Sequence, residues 1–306
     1  MSKVLVTGGA GFIGSHVVDQ LIVEGHEVVV IDNFETGKRN NIKTNVNIFD
    51  IDINSKIVKS IFEYFLPEYV IHLAAQTSVS TSIGFPKKDA QTNIIGTLNI
   101  LELSKEYQVK KIIFTSSAAV YGENGNLPIL ESYPLSPFSP YGLSKLTGEK
   151  YIKLYNKLHK LNYSILRLSN VYGPRQCENG EAGVVTKFIN QMIKGITPTI
   201  EGDGNQSRDF IFVKDVANAL VRAIVPSDPH ILNISSGTSI SINCLYDFLA
   251  KLIEYNKPAN FGPSRVGDIY ESSLSNENAK RILQWLPAIS IEEGLNETVS
   301  YFLASQ

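Results

Sequence analysis

Tyr141 and Lys145 stand four positions apart in "SPYGLSK", just behind a proline. If a helix begins near Tyr141, positions i and i+4 share a face, and phenol and ammonium address one small volume. A phenol with a pKa of about 10 is a poor base at neutral pH, but a neighbouring Lys⁺ favours its phenolate. The tyrosine then becomes a usable general base. Ser116 and Ser117, in "TSSAAVYG", supply hydroxyls from an earlier segment. On its own a YxxxK pair is more simply a coincidence of surface residues, so the weight falls on the elements that would position it.

Those elements are short β-branched runs alternating with longer amphipathic stretches. "KVLVT", "EVVVID", "NVNIF", "EYVIHLA", "KKIIFTS" and "YSILRLS" are apolar on both faces, as buried parallel strands must be. Helical patterns cover Phe12 to Glu24, Ser55 to Phe65, Lys88 to Tyr107 and Tyr141 to His159. Repeated βα units predict an α/β, Rossmann-type doubly wound parallel sheet, with its site outside the carboxyl ends of the strands. After Val171 the regularity fades into a Gly/Pro-rich loop, a helix near Val184 to Lys194, a hairpin-like "PTIEGDGNQSRDFIFV" and a helix near Asp215 to Ile224. The expected division is a dinucleotide-binding domain over residues 1–172 and a smaller C-terminal α/β substrate lobe over 173–306. A segment near 210–228 is expected to pack back on the first domain.

"TGGAGFIGSH" joins the first strand to the first helix. Gly8, Gly11 and Gly14 permit a tight turn, close approach to a pyrophosphate and close helix–strand packing, and the helix N-terminus offers donors to phosphate. A glycine triplet is weak evidence alone; a strand before it and a helix after it are the context it requires. The next strand ends at Asp32, whose carboxylate can hold ribose hydroxyls and would repel a 2′-phosphate, which favours NAD over NADP. Asp50 and Asp52 follow the third strand, and either could meet the adenine edge. Lys38 and Arg39, shortly downstream, could argue the other way, but in a polar loop they read more simply as solvated charges. Small residues in "HLAAQTSVSTS", after the fourth strand, let backbone pass close to a flat ring. Beside a cationic nicotinamide, the hydroxyl, phenol and ammonium form a proton-transfer set matched to hydride transfer.

The bulk numbers agree with a small-molecule enzyme. The chain has 306 residues, 43% hydrophobic, and Lys+Arg 28 against Asp+Glu 30 leaves a net charge of −2, so no nucleic-acid or membrane-surface footprint is indicated. Two cysteines, Cys177 and Cys244, lack metal-type spacing and read as packing thiols in a reducing compartment. "MSKVLVTGG" meets glycines too early for a signal peptide, and a soluble cytoplasmic protein is expected.

Taken together, "TGGAGFIGSH", "IDNFETGKRN", "HLAAQTSVSTS", "NIIGTLNILE", "TSSAAVYG", "SPYGLSK", "LRLSNVYGPRQ", "GEAGVV", "GDGNQSRDFIFVKDVA" and "RVGDI" make the chain resemble an extended short-chain dehydrogenase/reductase. Within that family, along essentially its whole length, it is similar to the compact UDP-hexose 4-epimerase group. The resemblance implies that Tyr141 is the catalytic base, that Lys145 binds the nicotinamide ribose and lowers the tyrosine pKa, and that Ser117 hydrogen-bonds the sugar 4-oxygen. It implies NAD contacts from Gly8, Gly11, Phe12, Ile13, Gly14, Asp32, Asn33, Thr36, Gly37, Asp50 and Ile51. Leu73, Ala74, Ala75, Gln76, Asn93 and Ser116 complete that set with Tyr141 and Lys145. Val184, Val185, Asn170, Arg208, Arg265 and Asp268 would hold the UDP-sugar, and Ser272 would stand beside the sugar C2 substituent. Guanidinium groups suit diphosphate oxygens and a carboxylate suits ribose hydroxyls.

The implied activity is C4 epimerisation of UDP-hexoses, with no metal and with a homodimer built on the Tyr141 helix, where Tyr151, Leu154, Tyr155 and Leu158 form an apolar stripe. Sugar-nucleotide dehydratase, reductase and UDP-glucuronate 4-epimerase chemistry are the rivals on the same scaffold. Dehydratases resemble "TDE" where this chain has Ser117, Ala118 and Ala119, so elimination would lack its acid–base pair. The larger epimerases carry a lysine after the fourth strand, where this chain reads Gln76-Thr77.

Overall fold

A computed structural model of the chain describes residues 1–42, 45–123, 125–177, 183–264 and 269–304. The six apolar runs fold as β1 (Lys3–Thr7), β2 (Glu27–Asp32), β3 (Asn47–Asp50), β4 (Tyr69–His72), β5 (Lys111–Ser117) and β6 (Asn162–Leu168). Their side chains alternate between two cores. Val4, Val6, Val28 and Val30 face one layer, whereas Leu5, Val29, Ile31 and Val70 face the other, so every strand is covered on both sides. Between the strands run α1 (Phe12–Val23), α2 (Val58–Phe65), α3 (Val79–Gly84), α4 (Pro86–Ala90), a π-helical turn (Gln91–Ile95), α5 (Gly96–Glu106) and α6 (Pro140–His159). The helix read over Lys88 to Tyr107 thus begins two residues earlier, at Pro86, and is interrupted by the π turn.

The remaining elements are β7 (Asn170–Tyr172), α7 (Val184–Ile193), β8 (Thr199–Glu201), β9 (Ser207–Arg208), β10 (Phe210–Phe212), α8 (Val213–Arg222), β11 (His230–Ile234), β12 (Ile240–Ser241), α9 (Ile242–Ile253), β13 (Asn260–Gly262), α10 (Glu277–Leu283) and α11 (Ile291–Ala304). The large sheet is parallel throughout, in the order β11-β6-β5-β4-β1-β2-β3. Its seventh strand, β11, pairs in register with β6 from His230↔Ser164 to Ile234↔Leu168. The sequence reading missed it because "HILNI" lies within an irregular stretch and carries a polar residue, Asn233, at its fourth position. That asparagine is fully buried and its Nδ2 donates to the Ile129 carbonyl at 3.0 Å.

The doubly wound sheet is therefore as expected, and chain order reverses at β1, between β2 and β4. A crevice opens there, outside the strand carboxyl ends. On one face α1 packs against α8, and Trp285 closes that core, its indole N–H donating to the Asp215 carbonyl at 3.1 Å. On the other face lie α2, α5 and α6.

"PTIEGDGNQSRDFIFV" is not a hairpin. Gly202 and Gly204, both at φ +76°, turn the chain, but its strands separate: β8 pairs with β13, β9 with β12 and β10 with β7. Alternation and turn glycines mark strands and reversals, but they do not choose partners over long range. A further core joins α7, α9, α11, β8 and β10.

Candidate active site

The crevice holds a cavity of about 1180 Å³, beyond the range of a pocket for one drug-sized ligand. Its floor is the glycine turn. Gly8 sits at φ +69°, and a Cβ there would lie 2.7 Å from the Ala74 amide nitrogen, so only glycine fits between β1 and the strand that follows α2. A Cβ at Gly14 would collide with the Gly8 carbonyl, so glycine there lets α1 start against the turn. Gly8, Gly11, Phe12, Ile13 and Gly14 all line the cavity.

Asp32 ends β2 at the cavity edge, 7% exposed, accepting from the Ala10 amide at 2.8 Å and the Phe34 amide at 2.8 Å. Burial raises its pKa, and the amides of Phe34, Ala10 and Gly11 oppose that rise. Asn33, Thr36 and Ile51 line the cavity with it. Gly37 does not; it packs on Asp32, where a Cβ would stand 2.8 Å from Oδ1. Asp50 is not among the lining residues, whereas Asp52 is, accepting from Asn33 Nδ2 at 3.0 Å and the Asn54 amide at 2.8 Å. A glycine cradle beside a buried carboxylate fits a dinucleotide with a free ribose diol.

Leu73, Ala74, Ala75 and Gln76 form the next wall. Asn93 lies behind it, 3% exposed. It takes the Gln76 amide on Oδ1 at 2.8 Å, and its Nδ2 donates to the Gln76 carbonyl at 2.9 Å and Ser144 Oγ at 3.0 Å. Asn93 thereby ties the wall to α6.

Helix α6 starts where the sequence signals it. Ser139 Oγ accepts from the Gly142 amide at 3.1 Å and Pro140 occupies the first turn. Glycine at 142 is required, because a Cβ would stand 2.6 Å from the Ala119 carbonyl; at 148 it would stand 2.9 Å from the Phe114 ring. These two positions let the helix lie close on β5. Tyr141, Lys145, Ser116 and Ser117 then reach one cavity wall.

Lys145 is 4% exposed, its Nζ donating to the Thr115 carbonyl at 2.9 Å and standing 5.1 Å from the centre of the Phe114 ring. Burial lowers its pKa to about 8, with the Asp89 carboxylate opposing. Ser117 Oγ accepts from the Ala119 amide at 3.2 Å, which closes the turn after β5.

Asn170, Val184, Val185, Arg208 and Ser272 line the far end of the cavity. Arg208 Nη1 donates to the Ser207 carbonyl at 2.8 Å. Arg265 and Asp268 lie outside the described residues. Several residues that sequence reasoning did not single out also line this space: Phe138, Tyr172, Gln176, Phe210 and Glu271, with Glu35 and Lys88, joined by an ion pair, at the dinucleotide end. Cys177, read as a packing thiol, lines the cavity as well. Among the described residues no cluster of His, Cys, Asp and Glu suits a metal ion.

Fold and site together define an NAD-dependent enzyme of the doubly wound class. Residues 4–235 match the family described as "NAD dependent epimerase/dehydratase family". Solved structures agree along the whole chain. A UDP-glucose 4-epimerase of Thermotoga maritima, solved with UDP-glucose, is 44% identical, with 99% of each chain covered and a TM-score of 0.96. A UDP-N-acetylglucosamine 4-epimerase of Methanobrevibacter ruminantium, in complex with UDP-N-acetylmuramic acid, is 38% identical, covering 100% of this chain and 99% of that one at a TM-score of 0.95. A UDP-glucose 4-epimerase of Thermus thermophilus, in complex with NAD, is 38% identical over 99% of each chain, with a TM-score of 0.93. The chain belongs to the NAD-dependent epimerase/dehydratase family, and within it is an epimerase of the UDP-glucose 4-epimerase type.

Proposed function

We propose that the protein inverts C4 of UDP-hexoses, interconverting UDP-glucose with UDP-galactose and their N-acetylated counterparts. The observation that carries this reading is the convergence of Ser117, Tyr141 and Lys145 on a cavity whose other end is the glycine cradle. Bound NAD supplies the acceptor and donor of the hydride at C4. Ser117 holds the 4-oxygen, Tyr141 takes the 4-hydroxyl proton and later returns it, and Lys145 keeps positive charge beside the phenol. The 4-ketose formed in between turns about its diphosphate linkage and is reduced on its other face. Asn170, Arg208, Arg265 and Asp268 are assigned to the UDP portion, so binding energy is placed away from the reacting carbon. Residues 1–172, with the segment near 210–228, serve NAD, and the rest of the chain serves the UDP-sugar.

Ala118 and Ala119 line the cavity where a dehydratase would need carboxylic acids. Among the described lining residues the carboxylates are Asp32, Glu35, Asp52 and Glu271, and none stands in the two positions directly after Ser117. This disfavours elimination.

The assignment of N-acetylated substrates rests on Ser272. It lines the cavity, its amide donates to the Ser207 carbonyl at 3.2 Å, and its side chain is small. Tyr270 is not among the lining residues; it is 56% exposed and its hydroxyl donates to Asp203 Oδ2 at 3.3 Å. Rates on UDP-glucose and UDP-N-acetylglucosamine, for wild type and Ser272→Tyr, test the gate. The variant is expected to lose only the N-acetyl activity. A wild type inactive on UDP-N-acetylglucosamine would confine the function to the UDP-glucose pair.

A further inference from the structure

Behind the reacting wall lies an ion pair that the chemistry above does not use. Glu149 is fully buried and Arg167 is 1% exposed. Glu149 stands on α6, one turn beyond Lys145 and two beyond Tyr141. Its Oε1 accepts from Arg167 Nε at 2.9 Å and from Ser116 Oγ at 2.6 Å, and its Oε2 accepts from Arg167 Nη2 at 2.7 Å. Arg167 projects from β6, and its Nη1 donates to the Tyr121 hydroxyl at 2.9 Å and the Glu131 carbonyl at 3.2 Å. Tyr121 follows the turn that holds Ser117, and its hydroxyl donates to Asn233 Oδ1 at 2.7 Å. Burial alone would lower the Arg167 pKa, but the hydrogen bonds and charge of Glu149 raise it, so the guanidinium stays charged.

The pair therefore joins the helix carrying the phenol and ammonium, the strand end carrying Ser116 and Ser117, and the turn that follows. Stability alone gives little reason for such a pair. Moving both charges out of water is costly, and apolar replacements of similar volume are often neutral or stabilising. A positional reason is stronger, because misplacing a reacting group by about 1 Å can cost about 10²-fold in rate.

We infer that Glu149 and Arg167 are positioning residues, a clamp that sets the distance from Tyr141 and Lys145 to Ser117. Ser116 is its contact with the cavity wall. The inference rests on the 4-epimerase reading for its kinetic consequence but not for its geometry.

The test uses the paired apolar variant Glu149→Met/Arg167→Met, which leaves neither charge uncompensated, and Ser116→Ala, which removes one bond of the clamp. The paired variant is expected to keep its Tm within a few degrees, its bound NAD and its KM, while kcat falls about 10–100-fold. A primary isotope effect from C4-deuterated substrate should rise as the chemical step becomes limiting. Ser116→Ala should show a smaller fall of the same kind. A paired variant with wild-type kcat, or a kcat loss that merely follows lost NAD or lost Tm, would overturn the clamp. A crystal structure of the paired variant needs no turnover. Displacement of Tyr141 and Lys145 relative to Ser117 is expected, and an unmoved α6 would reject the inference even if wild-type protein epimerised none of the sugars offered.

Discussion

Tyr141 and Lys145 gain meaning from what burial does to the lysine. Held against the Phe114 ring and the Thr115 carbonyl, its ammonium has a pKa lowered to about 8 by desolvation. Below that pH it carries the charge that favours the phenolate; above it the charge is lost. Turnover is therefore expected to decline as pH rises past about 8. Lys145→Met should move the acid-side limb of the profile upward and weaken NAD retention. Tyr141→Phe should still bind NAD and UDP but lose turnover about 10²-fold or more, the scale of a missing acid–base group. Rate–pH profiles of the three proteins check this, and a Tyr141→Phe enzyme with normal turnover would remove the proton-transfer role.

The residue types and spacing of this set were legible in the sequence, because Ser116 and Ser117 close an apolar strand and Tyr141 and Lys145 open a helix announced by Ser139 and Pro140. Asp89, Glu149 and Arg167 were not legible. A buried charge is recognised by its partner, and Glu149 and Arg167 meet only when α6 lies across β5 and β6.

At the scale of elements, β4 carries a second buried titratable group. His72 is 1% exposed, its Nδ1 sharing a hydrogen bond with Thr7 Oγ1 at 2.7 Å and its Nε2 one with Thr97 Oγ1 at 3.0 Å, which ties β1, β4 and α5 together. Desolvation, with the charge of Lys145, lowers its pKa to about 3. Unfolded chains titrate this ring near 6.5, so between about 6.5 and 3 the unfolded state binds a proton that the folded state refuses, and stability falls as pH falls. His16, lowered to about 4 mainly by burial, acts in the same direction. The slope of Tm against pH between 6.5 and 4.5 should be shallower in His72→Gln than in wild type; equal slopes would show that His72 does not carry this sensitivity.

Six strands of the parallel sheet were readable from their apolar runs because burial on both faces writes the same signal into each of them, whereas β11 escaped notice. The partners of β8, β9 and β10 were not, since pairing among two- and three-residue strands is decided by the lobe around them rather than by their own sequence.

For the molecule as a whole, the proposed homodimer rests on the outer face of α6. Of the apolar stripe read from sequence, Tyr155 is 8% exposed and belongs to the sheet core, where its hydroxyl meets Glu102. Leu154 and Leu158 remain 44% and 60% exposed, with Leu143 on the same helix and Ile95 in the π turn also exposed. A bundle formed with a second copy would cover them. Light scattering at micromolar concentration should give twice the chain mass, and Leu154→Glu/Leu158→Glu should shift it toward one; a monomeric wild type would contradict the proposal. Among the described residues no helix is long and apolar enough to cross a membrane.

The central claim is redox-neutral inversion at C4 on cofactor that stays with the protein. It is tested most directly by incubating purified protein with UDP-glucose, without added NAD or NADH, and resolving the sugar nucleotides by NMR. The account predicts UDP-galactose approaching the same final ratio from either epimer, with no net accumulation of NADH and NAD, not NADP, released on heating. Absence of any C4 epimer, a 4-keto-6-deoxy product, or turnover that consumes added NADH stoichiometrically would contradict it.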